Sequence, residues 1–236
     1  MANIIITGAS SGIGFEAVLD LTANKDNNVI ALARSADRLR KLHEISTSLN
    51  PDGGNLYPAQ FDIVYDNYPD SLVPFIQSKF ETVDILINNA GTLLYRPFME
   101  TSLEDFAKVL QTNLLGSVNM IQHIAPLMKN GGHIVNIGSM GGFQGSSKFA
   151  GLAAYSASKG ALATLSECLA EEFKEQGIKV NCLALGSSQT EMFEEAFPGM
   201  EAGTLAFEMG RYVAEFAQNG HKYYNGKVLP VANTTP

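Results

Sequence analysis

Cysteine is scarce: Cys168 and Cys182 are the only two in 236 residues. They fall on different predicted elements, so no disulfide framework and no metal-ligand spacing is legible. Basic residues are outnumbered, 16 Lys and Arg against 24 Asp and Glu, for a net charge of −8. That balance, with no run of Lys and Arg, argues against a nucleic-acid-binding surface. No apolar stretch approaches the roughly 18–20 residues of a membrane span. The chain enters an apolar strand at Ile4-Ile5-Ile6 without a basic flank. The expectation is a cytoplasmic protein with two reduced thiols and no secretion signal.

Short apolar runs alternate with longer helical patterns. Strands are expected at residues 3–7, 28–33, 55–61, 84–88, 133–138, 179–184 and 227–231. Runs of consecutive Ile, Val and Leu suit a parallel sheet buried on both faces. Helices are expected at 13–23, 36–49, 68–80, 103–128, 153–176 and 205–218, several with stop signals such as Asn130-Gly131-Gly132. This alternation predicts an α/β fold, a doubly wound parallel sheet of about seven strands with helices on both faces. With no linker or repeat, residues 1–236 read as one dinucleotide-binding domain, with a short substrate loop near 186–204.

Thr7-Gly8-Ala9-Ser10-Ser11-Gly12-Ile13-Gly14 lies between the first strand and the first helix. Gly8 permits the tight turn, Gly12 lets backbone approach a phosphate, and Gly14 lets helix and strand pack. Amides of Ser10, Ser11, Gly12 and Ile13 at the helix start then face an anion. Strand before and helix after are what a dinucleotide motif requires.

The second strand ends at Ala33-Arg34. An NAD site usually carries Asp or Glu there for the adenosine ribose. A guanidinium suits a ribose 2′-phosphate, so Arg34 predicts NADP(H) in preference to NAD(H), with Arg38 either helping or merely at the surface. Asp62, followed by Ile63, sits where it can accept from an adenine amino group or simply form a turn. Asn88-Asn89-Ala90-Gly91 ends the fourth strand at the switch-point crevice, small enough to leave room for a ribose, with Asn side chains equally able to brace backbone.

Tyr155 and Lys159 are four residues apart on a predicted helix, which places them on one face. A cation beside a phenol favours the phenolate, and such a tyrosine can act as general acid or base.

Taken together, T-G-x-x-x-G-x-G at 7–14, N-N-A-G at 88–91 and Y-x-x-x-K at 155–159 make the chain resemble the short-chain dehydrogenase/reductase family, in its compact, non-extended branch. The resemblance runs from Thr7 to about Leu229 and implies the Rossmann fold. It implies a catalytic tetrad of Asn113, Ser139, Tyr155 and Lys159. Ser139 would orient a substrate carbonyl and Tyr155 would exchange its proton. Lys159 would bind ribose and lower the tyrosine pKa, and Asn113 would hold a water for proton resupply. Cofactor contacts are implied for Gly8, Ser10, Ser11, Gly12, Ile13, Arg34, Asp62, Ile63, Asn89, Ala90, Gly91, Tyr155, Lys159, Gly186, Ser188 and Thr190.

The chain departs from the family in three places. Ser139 and Tyr155 are sixteen positions apart, longer than usual, with Ser146 and Ser147 as rival serines in the inserted stretch. Leu185-Gly186-Ser187-Ser188-Gln189-Thr190 lacks the usual proline, keeps Thr190, and puts Ser188 where a β-branched residue is expected. The loop after it offers Met192, Phe193, Phe197 and Met200 as apolar candidates for the pocket. The tail 229–236 lacks the family's acidic ending.

The expected protein is therefore an NADP(H)-dependent oxidoreductase of a small-molecule carbonyl or alcohol. A homodimer or homotetramer is implied, with 3-oxoacyl thioesters the family's commonest bacterial substrate. The alternative is a non-catalytic NADP(H)-binding redox sensor on the same fold.

Overall fold

In the computed structural model, residues 2–233 are described; the tail positions 234–236 lie outside them. Seven strands form one parallel sheet: β1 (Ala2–Thr7), β2 (Asn27–Ala33), β3 (Asn55–Gln60), β4 (Val83–Asn88), β5 (Met128–Ile137), β6 (Lys179–Leu185) and β9 (Val228–Val231). Their order is β3-β2-β1-β4-β5-β6-β9. Sequence order therefore reverses between β1 and β4, which opens a crevice over the carboxyl ends of those strands. A separate pair, β7 (Ser188–Gln189) and β8 (Thr204–Leu205), ties together the two ends of the loop near 186–204, the expected substrate loop.

The Ile4-Ile5-Ile6 run explains the layering. Ile4 and Ile6 point to one face, with Val29, Val135 and Leu183, against α1 (Gly12–Ala23), α2 (Ala36–Leu49) and α8 (Ala206–Asn219). Ile5 points to the other, with Ile30, Leu86, Ile134 and Val180, against α3 (Val73–Gln77), α5 (Gly116–Ile124) and α6 (Ala153–Glu172). Each such side chain contributes about 1.5–3 kcal/mol by leaving water. Two covered faces require apolar residues at successive positions, which is why these strands do not alternate.

Two expected helices are reshaped. The helix expected over 103–128 is α4 (Leu103–Leu110), a wide π turn (Gln111–Leu115), α5, and a 3₁₀ turn (Ala125–Leu127) that delivers the chain into β5 at Met128. Asn130-Gly131-Gly132 therefore ends no helix. It lies within β5 as a bulge, between the Val83–Met128 and Ile85–His133 pairings. The helix expected over 68–80 starts with a π turn at Tyr68–Leu72 and ends at Gln77, and α6 ends at Glu172, short of the expected 176. The substrate loop carries an unexpected short helix, α7 (Glu191–Ala196), capped by the Thr190 hydroxyl accepting from Phe193 N at 3.2 Å.

Among the described residues, no helix is long and apolar enough to cross a membrane. Cys168 and Cys182 are both unbridged.

Candidate active site

The carboxyl edge of the sheet opens into a cleft of about 970 Å³. It is lined by every predicted site residue except Asn113, which is fully buried beneath it.

At the glycine-rich turn, Gly8 and Gly12 both take positive φ, +67° and +55°. A Cβ on Gly8 would come within 2.7 Å of Ala90 Cα, so β1 and β4 meet backbone to backbone here. The Thr7 hydroxyl accepts from Asn89 N and Ala90 N at 3.1 and 3.0 Å. Asn89 Nδ2 returns bonds to the Thr7 and Gly8 carbonyls at 3.0 and 3.1 Å. The Asn89 side chain is thus a brace for the turn. Gly14 serves the same brace, since a Cβ there would overlap Gly8 O and Asn89 Nδ2. Ser11 makes no side-chain cap, leaving the first amides of α1 without a protein partner from that side chain, at the cleft wall. A glycine cradle ending in uncapped helix amides fits the diphosphate of a dinucleotide.

At the carboxyl end of β2, Arg34 is exposed in the cleft, its backbone carbonyl accepting from Gln60 Nε2 at 3.0 Å. Arg38 does not stand free: its Nη1 lies 2.6 Å from Glu191 Oε2 on the substrate loop. Asp62 spends Oδ1 on Val64 N at 2.9 Å, the turn-forming role. Ile63 is mostly core, pressed against Gly116, where a Cβ would come within 2.6 Å of its Cδ1.

Ser139 follows β5, and Tyr155 and Lys159 ride the first turns of α6. All three line the cleft. Ser139 Oγ accepts from Gly141 N at 3.1 Å, and its hydroxyl is also within reach of the Tyr155 phenol. Lys159 is 4% exposed and donates to Ile137 O at 2.7 Å. Burial pulls its pKa down to about 8. Its ammonium is 5.9 Å from the centre of the Tyr155 ring. The expected lowering of the Tyr155 pKa does not occur here. Burial pushes the phenol up, and a hydrogen bond with Ser139 offsets only part of that. Desolvation sets the direction here, and Lys159 directs one of its three donors at Ile137 O.

Asn113 occupies the π turn for a visible reason. Its Oδ1 accepts from Thr92 N at 2.7 Å, and its Nδ2 donates to Thr92 O and Ser158 Oγ, both at 2.9 Å. The turn widens so that this amide can clamp the strand beyond β4 to α6. Ser158 Oγ in turn donates to Tyr155 O at 2.6 Å. Sequence reasoning missed Ser158 and Thr92. The only signal for Ser158 was its place just before Lys159. One Oδ1 lone pair of Asn113 is left over, beside Gly91 and Lys159 Nζ; a Cβ on Gly91 would sit 3.3 and 3.4 Å from those two atoms.

Ser146 is tied within its own loop, its hydroxyl donating to the Met140 and Phe143 carbonyls. Ser188 turns its hydroxyl to Thr204 at 2.9 Å. Thr190 packs its methyl toward Gly12. Among the described residues no cluster of three or more His, Cys, Asp or Glu is placed to hold a metal ion.

The short chain dehydrogenase family model matches residues 2–201. Oxidoreductase BOA17 of Botryotinia fuckeliana is 30% identical over 226 residues, 94% of this chain and 78% of its own. A Serratia marcescens short-chain dehydrogenase/reductase superposes with a TM-score of 0.85 at 28% identity, covering 98% of this chain and 96% of that one. A Burkholderia cenocepacia short chain dehydrogenase, solved in complex with NADP, gives a TM-score of 0.86 at 25% identity, covering 99% and 97%. The chain belongs to the short-chain dehydrogenase family, a family of oxidoreductases on a Rossmann-like sheet.

Proposed function

We propose that this protein is an NADP(H)-dependent oxidoreductase that interconverts a carbonyl and an alcohol, with Tyr155 as general acid and base. The observation that carries this reading is the meeting of Ser139, Tyr155 and Lys159 in the same cleft as the glycine-rich turn. Preference for the 2′-phosphorylated cofactor is supported by Arg34, exposed at the end of β2 where no carboxylate stands. It is also supported by the NADP held by the Burkholderia relative.

When bound, the nicotinamide supplies or accepts the hydride. The rest falls to the chain. Ser139 donates its hydroxyl proton to the substrate oxygen and fixes its direction. Tyr155, kept protonated by burial, gives its proton to that oxygen as charge develops. Lys159 holds a positive charge beneath the site, anchored by Ile137 O. The spare lone pair of Asn113 can hold a water beside Lys159 Nζ, through which the lost proton is replaced.

The test is NADPH absorbance followed against a panel of carbonyl compounds, with Tyr155→Phe as control. That variant keeps the ring and loses the proton, so turnover falls about 10²–10⁴-fold while NADPH binding persists. Near-normal turnover would refute the role. NADPH binding with no turnover by the wild type would favour the redox-sensor alternative.

A further inference from the structure

We propose that the carbonyl compound taken by this cleft is hydrophobic, carries a ring, and bears no negative charge. The inference rests on the oxidoreductase reading above and narrows its substrate. Tyr95 and Phe149 both line the cleft and leave 54% and 49% of their surface exposed. Tyr95 is not loose. The backbone of Gly151 backs its ring, with room for no Cβ (2.8 Å), and Phe197 of the substrate loop tilts against it at 5.2 Å. Phe197 in turn meets Phe193 at 5.2 Å. Met192 and Met200 complete an apolar wall of adaptable shape. Rigid aromatic faces held half-open are a surface for stacking a planar or alicyclic ring.

Charge points the same way. The loop contributes Glu195 and Glu201 to the lining. Among the described lining residues the cations are Lys159 on the floor and Arg34 and Arg38 just beyond β2. The nearest other cations are engaged: Arg96 pairs with Asp105 at 2.6 Å, and Lys148 donates into its own loop. On the loop side of the cleft a carboxylate or phosphate on the substrate would meet Glu195 and Glu201 with no lining cation beside them, Lys159 lying on the floor, which selects against it. Neutral or cationic cyclic ketones fit this charge pattern, and ketones with a carboxylate close to the carbonyl do not.

The experiment uses NADP⁺-loaded protein, so that binding is read without turnover, and three matched aryl ketones: unsubstituted, para-carboxylate and para-trimethylammonium. Calorimetry should show the neutral and cationic ketones binding and the carboxylate about tenfold weaker or worse. The double variant Glu195→Gln, Glu201→Gln should close most of that gap. Tyr95→Ala should weaken the neutral ketone about fivefold or more. Equal binding of the carboxylate, no effect of the double variant, or no binding by any of the three overturns the proposal. Discriminating binding without NADPH-driven turnover would instead sink the oxidoreductase reading, and with it the substrate role, while leaving the ring-selective, anion-excluding character of the cleft established.

Discussion

His133 and Ser139 belong to one stretch of chain but stand at opposite edges of the sheet. Around His133, polar demand is met almost completely. Its Nδ1 faces Ala217 O at 2.8 Å, and Asn181 Nδ2 meets its Nε2 at 3.0 Å. Asn181 also bonds Tyr224 O and Lys227 N, while Asn225 Oδ1 takes Val180 N. The loose group at this edge is His221 Nδ1. Around Ser139, demand is left open. Lys159 is buried with one acceptor, the Tyr155 phenol is pushed up by desolvation, and Asn88 Oδ1 and Ser156 Oγ have no partner. Both networks sit on β5 and β6 neighbours. A saturated buried network specifies structure, whereas a buried lysine with a single acceptor at the wall of a cleft marks a place where a ligand can complete the bonding.

The largest expected effect that separates the two edges is on stability against pH. His133 is pushed down to about 4, chiefly by burial, with the Ala217 bond opposing and His221 adding to the fall. Unfolded, an imidazole takes its proton near 6.5. Between those values the unfolded chain holds the extra proton, so stability present above pH 6.5 is lost as pH falls toward 4, by up to about 3 kcal/mol. Urea midpoints at pH 7 and 4.5 should show this loss in the wild type and a flatter response in His133→Gln. Turnover per folded molecule should be unchanged in the variant. Equal slopes would show that the network at this edge does not hold the histidine neutral.

How much of this was legible differs by edge and by range. The Ile4-Ile5-Ile6 triplet announced a sheet covered on both faces, because that pattern is local. The glycine-rich turn and the Tyr155–Lys159 spacing were local too. The π turn was not, since it is made by Asn113 reaching Thr92, a contact that no periodicity encodes. Asn130-Gly131-Gly132 misled because a bulge and a helix end use the same residues. The direction of the Tyr155 shift was misjudged because helix spacing brings the cation near, while burial is set by the whole fold. Asn89 could be read as brace or ligand, and only the turn packed against it shows the brace.

A second contrast lies within the cleft, between the exposed wall beyond β2 and the buried floor. Arg34 is exposed there, and its replacement should act on one cofactor only. Arg34→Ala should lower kcat/KM for NADPH about tenfold and alter the NADH value less than about twofold, the expected loss of a charge-assisted contact to one phosphate. Equal losses with both cofactors would remove Arg34 from phosphate recognition and make it part of general groove architecture.

The smallest effect concerns Arg38, which the sequence left open between helper and surface residue. Its ion pair with Glu191 joins α2 to the substrate loop, but both side chains are about half exposed, 49% and 58%. A pair so placed contributes only about 0–1 kcal/mol, so an incoming phosphate can compete for the guanidinium. Glu191 then acts as a counterweight, occupying Arg38 and adding negative charge where a 2′-phosphate would come. Glu191→Gln should lower the KM for NADPH about two- to fourfold, leave NADH unaffected, and lose the advantage in high salt. A ratio of the two KM values that does not move would mean that Arg38 serves the loop alone, and that recognition of the phosphate rests on Arg34.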